Sequence, residues 1–190
     1  MIVLYIIIIL IVCAIVLVGA ISQLKEYRGW WGERLIRFIL CFLPKDYNVF
    51  NDVRVCSNGR RCQIDHLVIS PYGIFVIETK SYLGSTSGYG FDKMWRRKVL
   101  GKSYLTHSPM LQNQYHLDVL GQYLRLDNSF DYNWLRSVVV FGLGSKVRLI
   151  DRPFNVVMFY RLYSYIRSFK MIVIPPASIK NITLLISGLH

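Results

Sequence analysis

Gln63-Ile64-Asp65-His66-Leu67-Val68-Ile69-Ser70-Pro71-Tyr72-Gly73-Ile74-Phe75-Val76-Ile77-Glu78-Thr79-Lys80 is the stretch that decides the fold of this chain. Two apolar runs flank Ser70-Pro71-Tyr72-Gly73, which has type I turn chemistry: Ser first, Pro second, Gly fourth. The stretch therefore reads as a hairpin of strands 62–70 and 73–80. With Pro71 and Tyr72 at the turn centre, Ser70 faces Gly73 and Ile69 faces Ile74. Further along, Asp65 faces Glu78 and Gln63 faces Lys80. Residues directly opposite each other point to the same side of a sheet. Asp65, Glu78, Gln63 and Lys80 are thus expected to form one polar cluster on otherwise apolar strands. A glycine bulge at Gly73 would instead shift the pairing by one residue and set Glu78 against His66.

Two carboxylates opposed on a buried sheet repel each other. A divalent cation, Mg²⁺ or Mn²⁺, removes that penalty, because Mg²⁺ takes hard oxygen ligands and keeps water sites open. Lys80 can set an ammonium beside a bound water and a phosphate, an arrangement suited to phosphodiester hydrolysis. A buried Asp–Lys–Glu ion cluster without metal satisfies the same pattern, and spacing alone does not separate the two. His66 points to the opposite face and reads as structural. His107 and His190 carry no readable pattern.

Outward from the hairpin, residues 32–43 read as a helix, with Leu35, Ile36, Ile39, Leu40 and Leu43 at helical spacing and Pro44 as its stop. Residues 48–56 read as a strand joined to 62–70 through Ser57-Asn58-Gly59. Residues 84–90 read as a loop and 91–99 as a short strand around Trp95. Ser108-Pro109 is an N-cap followed by Pro at the first helical position, opening a helix to about Leu126. Val138–Phe141, 155–159 and 171–174 read as strands, and 160–169 and 177–188 as helices. The order predicts an α/β domain with one central sheet.

The 190 residues hold 23 Lys and Arg against 11 Asp and Glu, a net charge of +12, yet 53% are hydrophobic. That composition excludes a disordered chain. Charge and apolarity are segregated. Residues 1–24 carry no charge, long enough to span a bilayer, and Lys25, Arg28, Arg34 and Arg37 follow. The expectation is one transmembrane anchor, with the N-terminus outside and a domain of residues 25–190 in the cytoplasm. Cys41, Cys56 and Cys62 form no close pair and read as free thiols.

Basic residues cluster at Arg60, Arg61 and at Lys93, Arg96, Arg97, Lys98 and Lys102, with Tyr89, Phe91, Trp95 and Tyr104 interleaved. Cations with aromatics suit a nucleic-acid track. A solvated face, or attraction to anionic lipid beside the anchor, fits equally. Glu33 lies four residues before Arg37, the spacing of a common surface pair. Gln112 and His116 share a helix face, either as a satisfied pair or turned toward the hairpin cluster.

Gly32-Glu33, Gln63-Ile64-Asp65-His66, the run Gly73 to Lys80, Trp95, and Pro109 with Gln112 and His116 resemble the NERD domain. This is the nuclease-related domain of the PD-(D/E)xK superfamily. The resemblance covers about residues 29–124, more weakly Val138–Phe141. It implies a restriction-endonuclease-like mixed central sheet flanked by helices. It also implies metal-binding acids at Asp65 and Glu78, a catalytic lysine at Lys80, and Gln112 in support. Glu33 matches the family's first-helix glutamate and would join the metal site. One departure is Ser108, where the family has Asn; Ser still caps a helix. The expected function is a membrane-anchored, metal-dependent nuclease acting on nucleic acid, DNA foremost. The alternatives are a non-catalytic nucleic-acid-binding or scaffold module, and a membrane-surface protein whose polar cluster is structural.

Overall fold

The computed structural model describes residues 11, 13, 29–126, 133–151 and 153–189. The anchor expected at 1–24 lies outside them apart from Ile11 and Cys13. Among the described residues no helix is long and apolar enough to cross a membrane.

Helix α1 covers residues 29–40, and its buried Ile36 and Leu40 recur at helical spacing. Strands β1 (Asn48–Ser57), β2 (Arg60–Ser70) and β3 (Gly73–Lys80) form an antiparallel meander. The β1–β2 turn places Asn58 and Gly59 at φ 48° and 74°, the twist-matched conformation that Asn-Gly favours. Next come β4 (Gly84–Gly88), β5 (Met94–Val99), β6 (Lys102–His107) and α2 (Pro109–Tyr123). Ser108 Oγ accepts from Leu111 N–H as the N-cap, with Pro109 inside it. The chain ends with β7 (Leu135–Phe141), β8 (Ser145–Leu149), β9 (Val156–Met158), a 3₁₀ turn (Phe159–Arg161), α3 (Leu162–Ser168) and α4 (Pro176–Ser187).

Among the described residues the strands form two mixed sheets where one was expected. The first has order β1-β2-β3-β7-β9, with β7 parallel to both β3 and β9. The second has order β6-β5-β4-β8. Residues 84–88, expected as loop, are its strand β4, paired antiparallel to β5 and parallel to β8. A Cβ at Gly84 would lie 2.1 Å from the Lys98 carbonyl oxygen, so the Gly/Ser composition permits close strand approach rather than a free loop. Residues 171–174, expected as a strand, form none. Their amides serve another purpose: Val173 N–H and Ile174 N–H both donate to Pro71 O, at 2.9 and 3.1 Å, locking the β2–β3 turn.

The first sheet is covered on both faces, as its near-continuous apolar strands require. On one face Leu67, Ile69, Ile74 and Val76 pack with Leu117 and Leu120 of α2 and Ile182 and Ile186 of α4. On the other, Val68, Phe75, Ile77, Val138 and Val140 pack with Ile36 and Leu40 of α1 and Leu162 and Ile166 of α3. Truncating a fully buried side chain such as Leu120 to Ala costs about 2–5 kcal/mol in cores of this kind. Buried Asn113 pins α2 to the sheet: its Nδ2 donates to Val76 O at 2.9 Å and to Val138 O at 3.2 Å.

Candidate functional site

The β2–β3 ladder runs from Ser70↔Gly73 to His66↔Ile77 and stops. This is the register that the turn chemistry predicts; the one-residue shift that would set Glu78 against His66 does not occur. Where the ladder ends, a side chain takes over from the backbone. Asp65 Oδ2 accepts the Thr79 backbone N–H at 2.7 Å.

The facing strand also changes at this point. Asn51 pairs with His66 and Val53 with Ile64, leaving Asp52 unpaired between them at φ 57°. On either side the apolar positions change parity: Val53, Val55 and Ile64 enter the same core cluster as Leu67 and Ile69. The Asn51-Asp52 pair was the sequence signal for this break, because Asn and Asp tolerate left-handed backbone and interrupt strands. The sequence reading passed over Asp52.

Glu78 and Lys80 follow on the α2 side. Glu78 is 2% exposed, and its Oε1 forms an ion pair with Lys80 Nζ. Lys80 Nζ also donates to Gln112 Oε1 of α2 at 3.1 Å. His116, one helical turn after Gln112, sets Nδ1 3.4 Å from Glu78 Oε2. Among the described residues, Glu78 Oε2 and His116 Nδ1 have no hydrogen-bond partner. An acceptor left bare in the interior is costly, and here it is a carboxylate oxygen.

The electrostatics follow from crowding and burial. Burial raises the Glu78 pKa to about 7, the Asp65 charge adds to the rise, and Lys80 opposes it. Burial likewise raises Asp65, against the Thr79 N–H and Lys80. For Lys80, burial works to lower the pKa, but the Glu78 carboxylate overcomes it and the net shift is upward. Burial, then the Lys80 charge, lowers His116 to about 4, so it is neutral at pH 7. On the opposite face His66 is buried with Nδ1 2.6 Å from Asn51 Oδ1, and burial lowers its pKa to about 4. It is paired away from the cluster.

Glu33, on half-buried α1 surface, has its pKa raised by burial first and then by Asp65 and Asp52. Its expected surface partner Arg37 is taken by Asp52, at 2.7 Å. Glu33 therefore belongs to the electrostatic surroundings of Asp65. A three-acid ligand set of Asp65, Glu78 and Glu33 is not assembled: among the described residues no three His, Cys, Asp or Glu converge on one ion position. Two carboxylates and a bare carboxylate oxygen still suit Mg²⁺ or Mn²⁺, since Mg²⁺ binds through one or two carboxylates and keeps its waters.

The nuclease-related domain family model matches residues 28–142, which include every residue of this cluster. The chain belongs to the nuclease-related domain family. It is also 34% identical over 101 residues to an uncharacterised protein of Bacillus anthracis, covering 52% of this chain and 48% of that protein. The chain thus spans about half the length of the curated relative it matches. No solved structure matches.

The nuclease-related domain separates the basic residues that the sequence grouped together. Arg60 lies over the Tyr115 ring at 4.6 Å, and Tyr115 stands beside His116 with ring centroids 6.4 Å apart. This links the β1–β2 turn, with exposed Arg61, to the carboxylate cluster. Arg96, Lys98 and Lys102 are exposed on the second sheet, and Lys93 is exposed just before β5. Arg97 is half-buried over the Tyr82 ring at 3.9 Å. Trp95, expected to stack on bases, is fully buried and stacked on Phe141, centroids 6.4 Å apart. It alternates inward between exposed Met94 and Arg96, so its ring is core and offers no face to a ligand.

Proposed function

We propose that this chain is a metal-dependent nuclease whose site is Asp65, Glu78, Lys80 and Gln112. The observation that carries the reading is the Glu78 carboxylate, buried beside Asp65 with one oxygen on Lys80 and the other accepting no hydrogen bond among the described residues, 3.4 Å from neutral His116 Nδ1. A Mg²⁺ or Mn²⁺ ion held by Asp65 and Glu78 would polarise a phosphodiester and acidify a bound water. Lys80 offers its ammonium to the attacking water and to charge developing on phosphate. Gln112 aims that ammonium. Neutral His116 adds no competing charge beside it. The Thr79 N–H fixes the Asp65 carboxylate. Glu33 raises the negative potential at Asp65, and Arg60 and Arg61 supply cations for backbone phosphates at the same end of α2. The anchor at residues 1–24 would hold the domain at the cytoplasmic face of a membrane; its support is the uncharged run followed by Lys25 and Arg28.

A specific observation favours the second reading, a non-catalytic nucleic-acid-binding module. Lys80 is already engaged by Glu78 and Gln112, and two carboxylates are a sparse ligand set. The two readings part in one assay. Full-length chain in detergent is incubated with DNA or RNA with and without Mg²⁺. A nuclease cleaves only with the metal and loses roughly 10²–10³-fold in Glu78→Ala and in Lys80→Ala. Salt-sensitive binding with no cleavage, unchanged in both variants, selects the second reading and ends the first.

A further inference from the structure

Among the described residues, two turns hold both central residues at positive φ, and they use different residues to do it. The β1–β2 turn has Asn58 and Gly59, the pair such a turn favours. The β5–β6 turn has Leu100 at φ 48° and Gly101 at φ 80°. Leucine there carries the steric penalty of left-handed backbone. Its side chain is 98% exposed, so it packs on nothing among the described residues. Asparagine at this position would avoid the steric penalty and the exposed apolar surface alike. The leucine side chain is therefore free to meet a partner beyond the described residues.

Its surroundings indicate what it meets. The hairpin Met94–His107 contains Arg96, Arg97, Lys98 and Lys102 and no acid. It also lies at the end of the domain where α1 begins. A Cβ on Gly84 would meet Lys98 O at 2.1 Å, and one on Gly32 would meet Ser81 Oγ at 1.7 Å. The short run from Ser81 to Gly84 spans at most ~10 Å, so α1 and the hairpin are neighbours there. Just before Gly32, Trp30 and Trp31 are 46% and 62% exposed, and the uncharged segment 1–24 precedes them in sequence. The start of α1 with its two open indoles is thus connected through Ser81 and Gly84 to the cation-bearing hairpin.

We propose that the β5–β6 tip docks on an anionic lipid surface, with Leu100 entering the acyl boundary and Lys98 and Lys102 meeting the headgroups. Trp30 and Trp31 sit at headgroup depth, where indoles concentrate. Charge complementarity sets the anionic surface. The tip itself favours lipid over nucleic acid, because Val99–Lys102 carries an aliphatic side chain and no ring, and the nearest open ring of the hairpin, Tyr104, stands back from the tip on β6. This contact is separate from the nuclease chemistry and from the span read at residues 1–24. Lys80 directly precedes Ser81, so docking turns the carboxylate cluster toward the lipid-facing end.

The test uses full-length chain reconstituted with phosphatidylcholine alone or with added phosphatidylserine, followed by amide hydrogen exchange over residues 98–103. The expected result is roughly tenfold slower exchange with phosphatidylserine only. Leu100→Asn should lose that protection and raise the thermal midpoint, since Asn-Gly suits the turn. Quenching by brominated lipid reports Trp30 and Trp31 separately, because Trp95 and Trp134 are buried. Quenching without tip protection overturns the hairpin contact while leaving the span intact. Equal exchange in both lipids, an unchanged Leu100→Asn, or protection by a DNA oligonucleotide in place of vesicles also overturns it.

Discussion

The two ends of the β2–β3 hairpin are built from similar apolar strands and treat polar groups in opposite ways. At the turn, Ser70 Oγ donates to Gly73 O at 3.1 Å and accepts from Tyr72 N–H at 3.2 Å, while Pro71 O takes two amides from the segment before α4. At the open end the ladder stops, a carboxylate stands in for a carbonyl, and Glu78 Oε2, Thr79 Oγ1 and His116 Nδ1 are buried without partners among the described residues. A folded chain rarely leaves such groups bare. Among the described residues Arg136 Nε, 3.4 Å from where a Cβ on Gly73 would stand, is bare at the turn end as well. What sets the open end apart is therefore its buried carboxylates, and they are what suits it to a ligand.

Breaking the turn end should therefore damage the fold. Phe75→Ala empties a fully buried position between α1 and α3 and should cost about 3–5 kcal/mol, read by urea unfolding. At the open end the large effect should fall on activity: Glu78→Gln should lower metal-dependent cleavage roughly 10²–10³-fold. The same variant should unfold no more easily at pH 8, because it removes a buried charge. A parallel loss of stability would make the cluster structural.

The pH dependence of stability sharpens the contrast. Glu78 holds its proton to about pH 7 when folded and to about 4.5 when unfolded. The folded chain binds the extra proton in that window, so this contribution to stability falls as pH rises through it, and Glu78→Gln abolishes the slope. His66 has the opposite sign: with a folded pKa of about 4 against 6.5, its contribution is lost as pH falls from 6.5 to 4. Each is on the order of 3 kcal/mol, measurable as the difference between wild type and Glu78→Gln or His66→Gln in thermal unfolding across pH 4–8. The smallest effect should be Ser70→Ala, about 1–2 kcal/mol for two short bonds at the turn, with cleavage unchanged.

The hairpin was legible in the sequence because Ser-Pro-Tyr-Gly fixes its register as far as His66 and Ile77. The expected Asp65–Glu78 and Gln63–Lys80 pairings do not form, Gln63 pairing with Arg54 and Asp65 meeting β3 through the Thr79 N–H. Gln112 could be placed because Ser108-Pro109 fixes where α2 starts. Of the second sheet only β5 was legible, within the strand expected at 91–99. β4 is Gly, Ser and a single buried Thr86, β6 is exposed along almost its whole length, and β8 alternates only weakly, so none carries an apolar core-facing pattern. Trp95 was misread because its neighbours in sequence are cations, whereas alternation turns it inward. Asp52 was passed over because a single left-handed residue within a ten-residue strand leaves only the Asn-Asp pair as a trace.

The decisive measurement is calorimetric titration of Mg²⁺ into the full-length chain, with Glu78→Ala and Asp65→Ala alongside. Saturable binding at one site in wild type, absent in both variants, is the result expected of a cation site at the open end of the hairpin. No binding in wild type, or equal binding in all three chains, would leave Asp65, Glu78 and Lys80 as an internal ion cluster and remove the nuclease reading.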